Sequence, residues 1–132
     1  MEKRSIFYLD DNEEILEVFR VMFGEEYDVN TTSSLSEALQ ILNSCSTDII
    51  ISDQRMPEMK GTEFLRLAHE LCPKSLRILL TGEAKCGDVL EEIREGIVEY
   101  FIQKPWEHEQ MRNMLDRASL TFEWRKVEGR LH

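Results

Sequence analysis

A chain of 132 residues matches one domain at about 150 residues apiece, long enough to bury about two-thirds of its unfolded surface without a disulfide framework. With 42% hydrophobic and 32% charged residues, 3 Pro and 6 Gly, it is neither disordered nor fibrous. Sixteen Lys and Arg against 26 Asp and Glu give a net charge of −10, which repels phosphate backbones and anionic lipid and suits a divalent cation.

Periodicity alternates along the chain. Ile6 to Leu9 is a short apolar block, too short for a signal-peptide core or a membrane span, so a cytoplasmic protein with no membrane partner is expected. Ile15, Val18, Phe19, Met22 and Phe23 follow at helical spacing. Tyr27 to Thr31 is β-prone, and Ser34-Leu35-Ser36-Glu37 is a capping box opening a helix with Leu35, Ala38, Leu39 and Leu42 on one face. Ile49 to Ile51 gives a third strand, and Phe64, Ala68, Leu71 and Cys72 mark a helix that stops before Pro73. Leu76 to Leu80 is the fourth strand, 87–95 its helix with Val89, Leu90 and Ile93, and Val98 to Ile102 the fifth strand. A last helix carries Met111, Met114, Leu115 and Ala118 inward, and 119–132 extends it through Phe122, Val127 and Leu131 as a linker helix, a dimer contact containing Trp124, or a frayed tail.

Strands 1, 3 and 4 are nearly continuous apolar runs, as in strands covered by helices on both faces. Five βα units of this kind predict a flavodoxin-like doubly wound α/β sandwich, (βα)5, with a parallel sheet in the order 2-1-3-4-5 and a ligand site beyond the carboxyl ends of the strands. Cys45, Cys72 and Cys86 lack CxxC spacing and are expected to be free thiols, while His69, His108 and His132 are expected at the surface.

At the predicted strand ends lie Asp10 and Asp11, then Asp53, Thr81 and Lys104. Three carboxylates drawn into one crevice repel one another unless a cation compensates. Hard oxygen ligands without His or Cys favour Mg²⁺. Taken singly, each residue also suits a plainer role, an N-cap for Asp10 or Asp11 and a turn for Asp53.

Asp10-Asp11, Asp53-Gln54-Arg55-Met56-Pro57 with Gly61 eight positions beyond the aspartate, Leu80-Thr81-Gly82 and Phe101-Ile102-Gln103-Lys104-Pro105 together resemble the receiver domain of a two-component response regulator, over Ser5 to about Ala118. The resemblance assigns residues 1–118 to the receiver. It implies Asp53 as phosphoacceptor, Mg²⁺ held by Asp10 (through water), Asp11, Asp53 and the backbone carbonyl of Arg55, and phosphoryl oxygens bound by Thr81 and Lys104. Lys104-Pro105 resembles the family's cis peptide, with a trans Pro at helix N1 as the ordinary alternative. The resemblance also implies a sensor histidine kinase or phosphotransfer protein as donor. Thr81 and Phe101 would act as the switch, read by an output domain, a partner or a second protomer on the fourth helix, fifth strand and fifth helix, roughly Lys85 to Ala118. Such a module is a signalling domain, with any output enzyme elsewhere.

Phe101 lacks the hydroxyl that many members carry, which predicts an inward-facing rotamer. Arg55 and Glu83 are expected to pair across the crevice rim and slow attack by water. The wording around Asp53, Thr81 and Lys104-Pro105-Trp106 resembles receivers joined to HD-type phosphohydrolases. Three alternatives remain open to the sequence: an aspartyl-phosphate hydrolase, which usually shows DxD after strand 1; a flavodoxin-like cofactor binder, whose phosphate Asp10-Asp11 would repel; and a docking module of the same fold that is never phosphorylated.

Overall fold

The apolar runs assemble into one parallel sheet. In a computed structural model that describes residues 3–82 and 89–131, β1 (Ser5–Leu9), β2 (Asp28–Thr32), β3 (Ile49–Asp53), β4 (Leu76–Thr81) and β5 (Tyr100–Gln103) lie in the order β2-β1-β3-β4-β5. The central strands β3 and β4 are buried along their whole length, whereas edge strand β2 alternates. That contrast follows from helices covering both faces of the centre. The architecture is the flavodoxin-like doubly wound fold expected from the repeat.

The helices divide between the two faces. Leu16, Phe19 and Phe23 of α1 (Glu13–Phe23) and Met111, Leu115 and Ala118 of α5 (His108–Leu131) pack with Ile6, Tyr8, Ile49 and Ile78. On the other face Ala38 and Leu42 of α2 (Leu35–Ser44) and Phe64, Leu65 and Ala68 of α3 (Gly61–Leu71) pack with Phe7, Leu9, Ile50 and Leu79. Val89 and Ile97, flanking α4 (Leu90–Arg94), close that second core.

Several helix faces differ from the sequence expectation. Helix α1 buries Leu16 and leaves Val18 and Met22 exposed, because two flanking apolar positions competed for one stripe and the sheet accepts only the stripe containing Phe19 and Phe23. Leu71 of α3 and Leu90 and Ile93 of α4 also face outward. Val98 precedes β5 as a buried connection rather than belonging to it. His108 is partly buried and stacks on Phe23 at 5.3 Å, and His69 is partly buried; His132 lies outside the described residues.

The thiols are a further correction. Cys45 and Cys72 form a disulfide, where free thiols were expected. Cys45 ends α2 in the left-handed region at φ 48° and Cys72 ends α3, and the two neighbouring helices finish side by side with the Cα atoms 5.4 Å apart. A separation of 27 residues carries no hint of that meeting. Cys86 lies outside the described residues.

Candidate functional site

Neither Asp10 nor Asp11 caps the first helix, because Asn12 takes that role. The Asn12 side chain accepts from the backbone N–H groups of Glu14 and Ile15, opening α1. The plainer reading of Asp10 or Asp11 as N-cap therefore falls. Asp10 is wholly buried, Asp53 nearly so, and Asp11 is exposed. One carboxylate oxygen from each of the three lies within 4.8 Å of the others.

Lys104 closes the cluster from the end of β5. Its Nζ sits 3.0 Å from Asp10 Oδ2 and 3.3 Å from Asp53 Oδ1, ahead of a cis Lys104-Pro105 peptide, and its backbone N–H donates to Thr81 O at 2.8 Å. Burial pushes the Asp53 carboxyl up, the charge of Asp10 pushes the same way, and Lys104 pulls against both without cancelling them. For Lys104, burial pulls the ammonium down, but hydrogen bonding and attraction to Asp10 and then Asp53 outweigh it, so the net direction is up. A second cation would relieve the remaining repulsion, and an all-oxygen donor set fits a hard divalent ion.

The loop after Asp53 is held through Gln54, by its backbone and its side-chain amide. Gln54 N–H donates to Leu80 O at 2.9 Å, Gly61 N–H donates to Gln54 O at 3.0 Å, and Thr62 N–H donates to Gln54 Oε1 at 2.9 Å. Gly61 is required for space: a Cβ there would lie 2.2 Å from the Asp53 carbonyl oxygen. Gly61→Ala is expected to cost about 1–3 kcal/mol as the loop yields. Urea unfolding measures it, and an unchanged midpoint would contradict the close approach.

Thr81 is buried at the end of β4, and Phe101 is partly buried against the α2 and α3 core. Both line a cavity of about 820 Å³ shared with Asp11, exposed Arg55 and Lys60. All the site residues named from the sequence thus gather at one end of the sheet. The Arg55 to Glu83 pairing involves a residue outside those described.

Tyr8 reads in the sequence as an apolar strand residue, and its part in the site is missed there. Its hydroxyl donates to Asp10 Oδ2 at 2.8 Å from a fully buried position. Burial first, and then the charge of Asp10, push its ionisation up, so it stays a proton donor. The available signal was the two-residue spacing from Asp10, which puts both side chains on one face of an extended strand.

A doubly wound parallel sheet with an acidic crevice and a lysine at its strand ends defines the class. Residues 6–116 match the response regulator receiver domain, and the chain belongs to that family. It is 28% identical to the hydrogenase transcriptional regulatory protein HoxA of Cupriavidus necator over 131 residues, 99% of this chain and 27% of that protein. The chain thus spans about a quarter of that regulator's length. Among solved structures it resembles adenylate cyclase from Rhodopirellula baltica (TM-score 0.91, 25% identity, 98% of this chain and 97% of that one). It also resembles the signal receiver domain of an HD domain-containing protein from Pseudomonas fluorescens Pf-5 (TM-score 0.86, 26% identity, 96% and 94%).

Proposed function

We propose that this receiver accepts a phosphoryl group on Asp53 from the phosphohistidine of a sensor histidine kinase or phosphotransfer protein, in the cytoplasm, and passes the change to an output. The observation that carries this reading is the meeting of Asp10, Asp11, Asp53 and Lys104 at the strand ends. Asp10, Asp11, Asp53 and the carbonyl of Arg55 would hold Mg²⁺, which when bound supplies positive charge against the phosphoryl oxygens.

An Asp53 oxygen attacks phosphorus as the bond to the histidine nitrogen breaks, and the imidazole leaves with that electron pair and takes up a proton. Lys104 neutralises charge on the transferred group, and the Thr81 hydroxyl binds one of its oxygens. Gly82, exposed and without a side chain, leaves the donor room to approach. Movement of Thr81 would draw Phe101 after it and alter the α4-β5-α5 surface for an output domain, a partner or a second protomer. Exposed Leu120, Trp124 and Val127 on the last turns of α5 support residues 119–132 as a linker or dimer contact.

Intact mass after incubation with acetyl phosphate tests the reading. One added phosphoryl group with Mg²⁺, and none with chelator, is expected. No gain, from acetyl phosphate or from a phosphorylated kinase, would leave a docking module.

A further inference from the structure

We propose that Tyr8 is a positioning residue: its hydroxyl holds Asp10 in place and restrains the attraction of the acidic site for Mg²⁺. The inference rests on reading Asp10, Asp11 and Asp53 as the Mg²⁺ site. Asp10 Oδ2 accepts from Tyr8 at 2.8 Å and from Lys104 at 3.0 Å, and Asp10 Oδ1 accepts from Asn12 N–H at 3.0 Å. An ionised carboxylate offers about four acceptor directions, so about one remains, on Oδ1. The group cannot turn toward an ion without giving up a charge-assisted bond.

Tyr8 itself has little freedom. It is the third of four consecutive buried residues of β1, paired with Thr31 on one side and Ile51 on the other. Its ring meets Phe19 edge-on at 5.0 Å, and Phe19 meets Trp106 at 6.0 Å. The hydroxyl is therefore delivered to Asp10 by the sheet and core rather than by a mobile loop.

The sign of the effect follows from competition for one charge. A hydrogen bond to a carboxylate weakens with each further cation that shares it, and Mg²⁺ would add its charge to that of Lys104 already on Asp10 Oδ2. Removing the hydroxyl thus harms the metal-free protein more than the loaded one. The difference emerges as tighter binding.

Calorimetric titration of MgCl2 at fixed pH into wild type, Tyr8→Phe, Asp10→Asn and the double variant tests this. Tyr8→Phe is expected to bind Mg²⁺ roughly three- to tenfold more tightly. Its Tm should fall without Mg²⁺ and recover toward wild type with it, and in the Asp10→Asn background the affinity difference should vanish. If Tyr8→Phe does not fold, Tyr8→Met, which also lacks the hydroxyl and fills the space flexibly, carries the same comparison. Equal or weaker affinity, or the same loss of Tm with and without Mg²⁺, overturns the inference and leaves Tyr8 a packing residue. Absence of binding by wild type is a different result, which overturns the Mg²⁺ site and the inference with it.

Discussion

Asp53→Asn is expected to abolish phosphorylation while making the metal-free protein more stable. The substitution keeps the shape and removes the nucleophilic charge, so the mass gain with acetyl phosphate and Mg²⁺ should disappear. Stability should rise because Asp53 is buried beside Asp10, with the Lys104 ammonium shared between them. At neutral pH the gain is expected to be seen as a higher Tm. A carboxyl whose folded pKa is raised binds more protons folded than unfolded, so wild-type stability falls as pH rises from its ordinary 3.8 through the raised value. The advantage of Asp53→Asn should therefore be full at neutral pH and vanish in acid. Saturating Mg²⁺ should narrow it by stabilising wild type more. A variant that loses phosphorylation and stability together would show that Asp53 supports the fold instead.

Arg77→Met is expected to destabilise the fold more than Gly61→Ala or any substitution in the acidic crevice. Arg77 is 2% exposed within β4, and its guanidinium donates to Ile97 O at 2.9 Å, Ser75 O at 2.6 Å and Gly96 O at 3.1 Å while pairing with Glu99 at 2.8 Å. Burial, and then the charge of Arg125, pull its pKa down to about 10, so it remains a cation at neutral pH. Glu99 pairs in turn with Arg125 of α5. One buried side chain thus ties β4 to the connection between α4 and β5, with α5 joined through Glu99. Met fills much of the volume but leaves three carbonyls and a carboxylate short of a donor, an expected loss of about 3–5 kcal/mol. Chemical denaturation measures it, and a loss below about 1 kcal/mol, the ordinary worth of an exposed pair, would mean that water reaches the site.

Arg77 also illustrates where sequence reasoning stops. In Leu76 to Leu80 it interrupts an apolar run without any local sign of what would satisfy it, because Gly96, Ile97 and Glu99 reach it only after α4 is folded back. The disulfide between Cys45 and Cys72 is the same kind of fact, set by where two helices happen to end. Tyr8 is an intermediate case: its alternation with Asp10 was visible, but whether its hydroxyl met a carboxylate or a backbone depended on packing against Phe19.

The order of apolar runs and the residues closing them determined a great deal by themselves. Short apolar blocks alternating with helical stripes admit a covered parallel sheet, and such a sheet brings its strand ends to one edge, so Asp10, Asp11, Asp53, Thr81 and Lys104 were identifiable from the order of residues alone. Tertiary structure decided which stripe of α1 turned inward, which carboxylate oxygen each donor claimed, and how buried Arg77 found its acceptors. Periodicity is a local property that survives in one dimension. Competition among several partners for one buried face or one oxygen is settled only when distant segments are packed together.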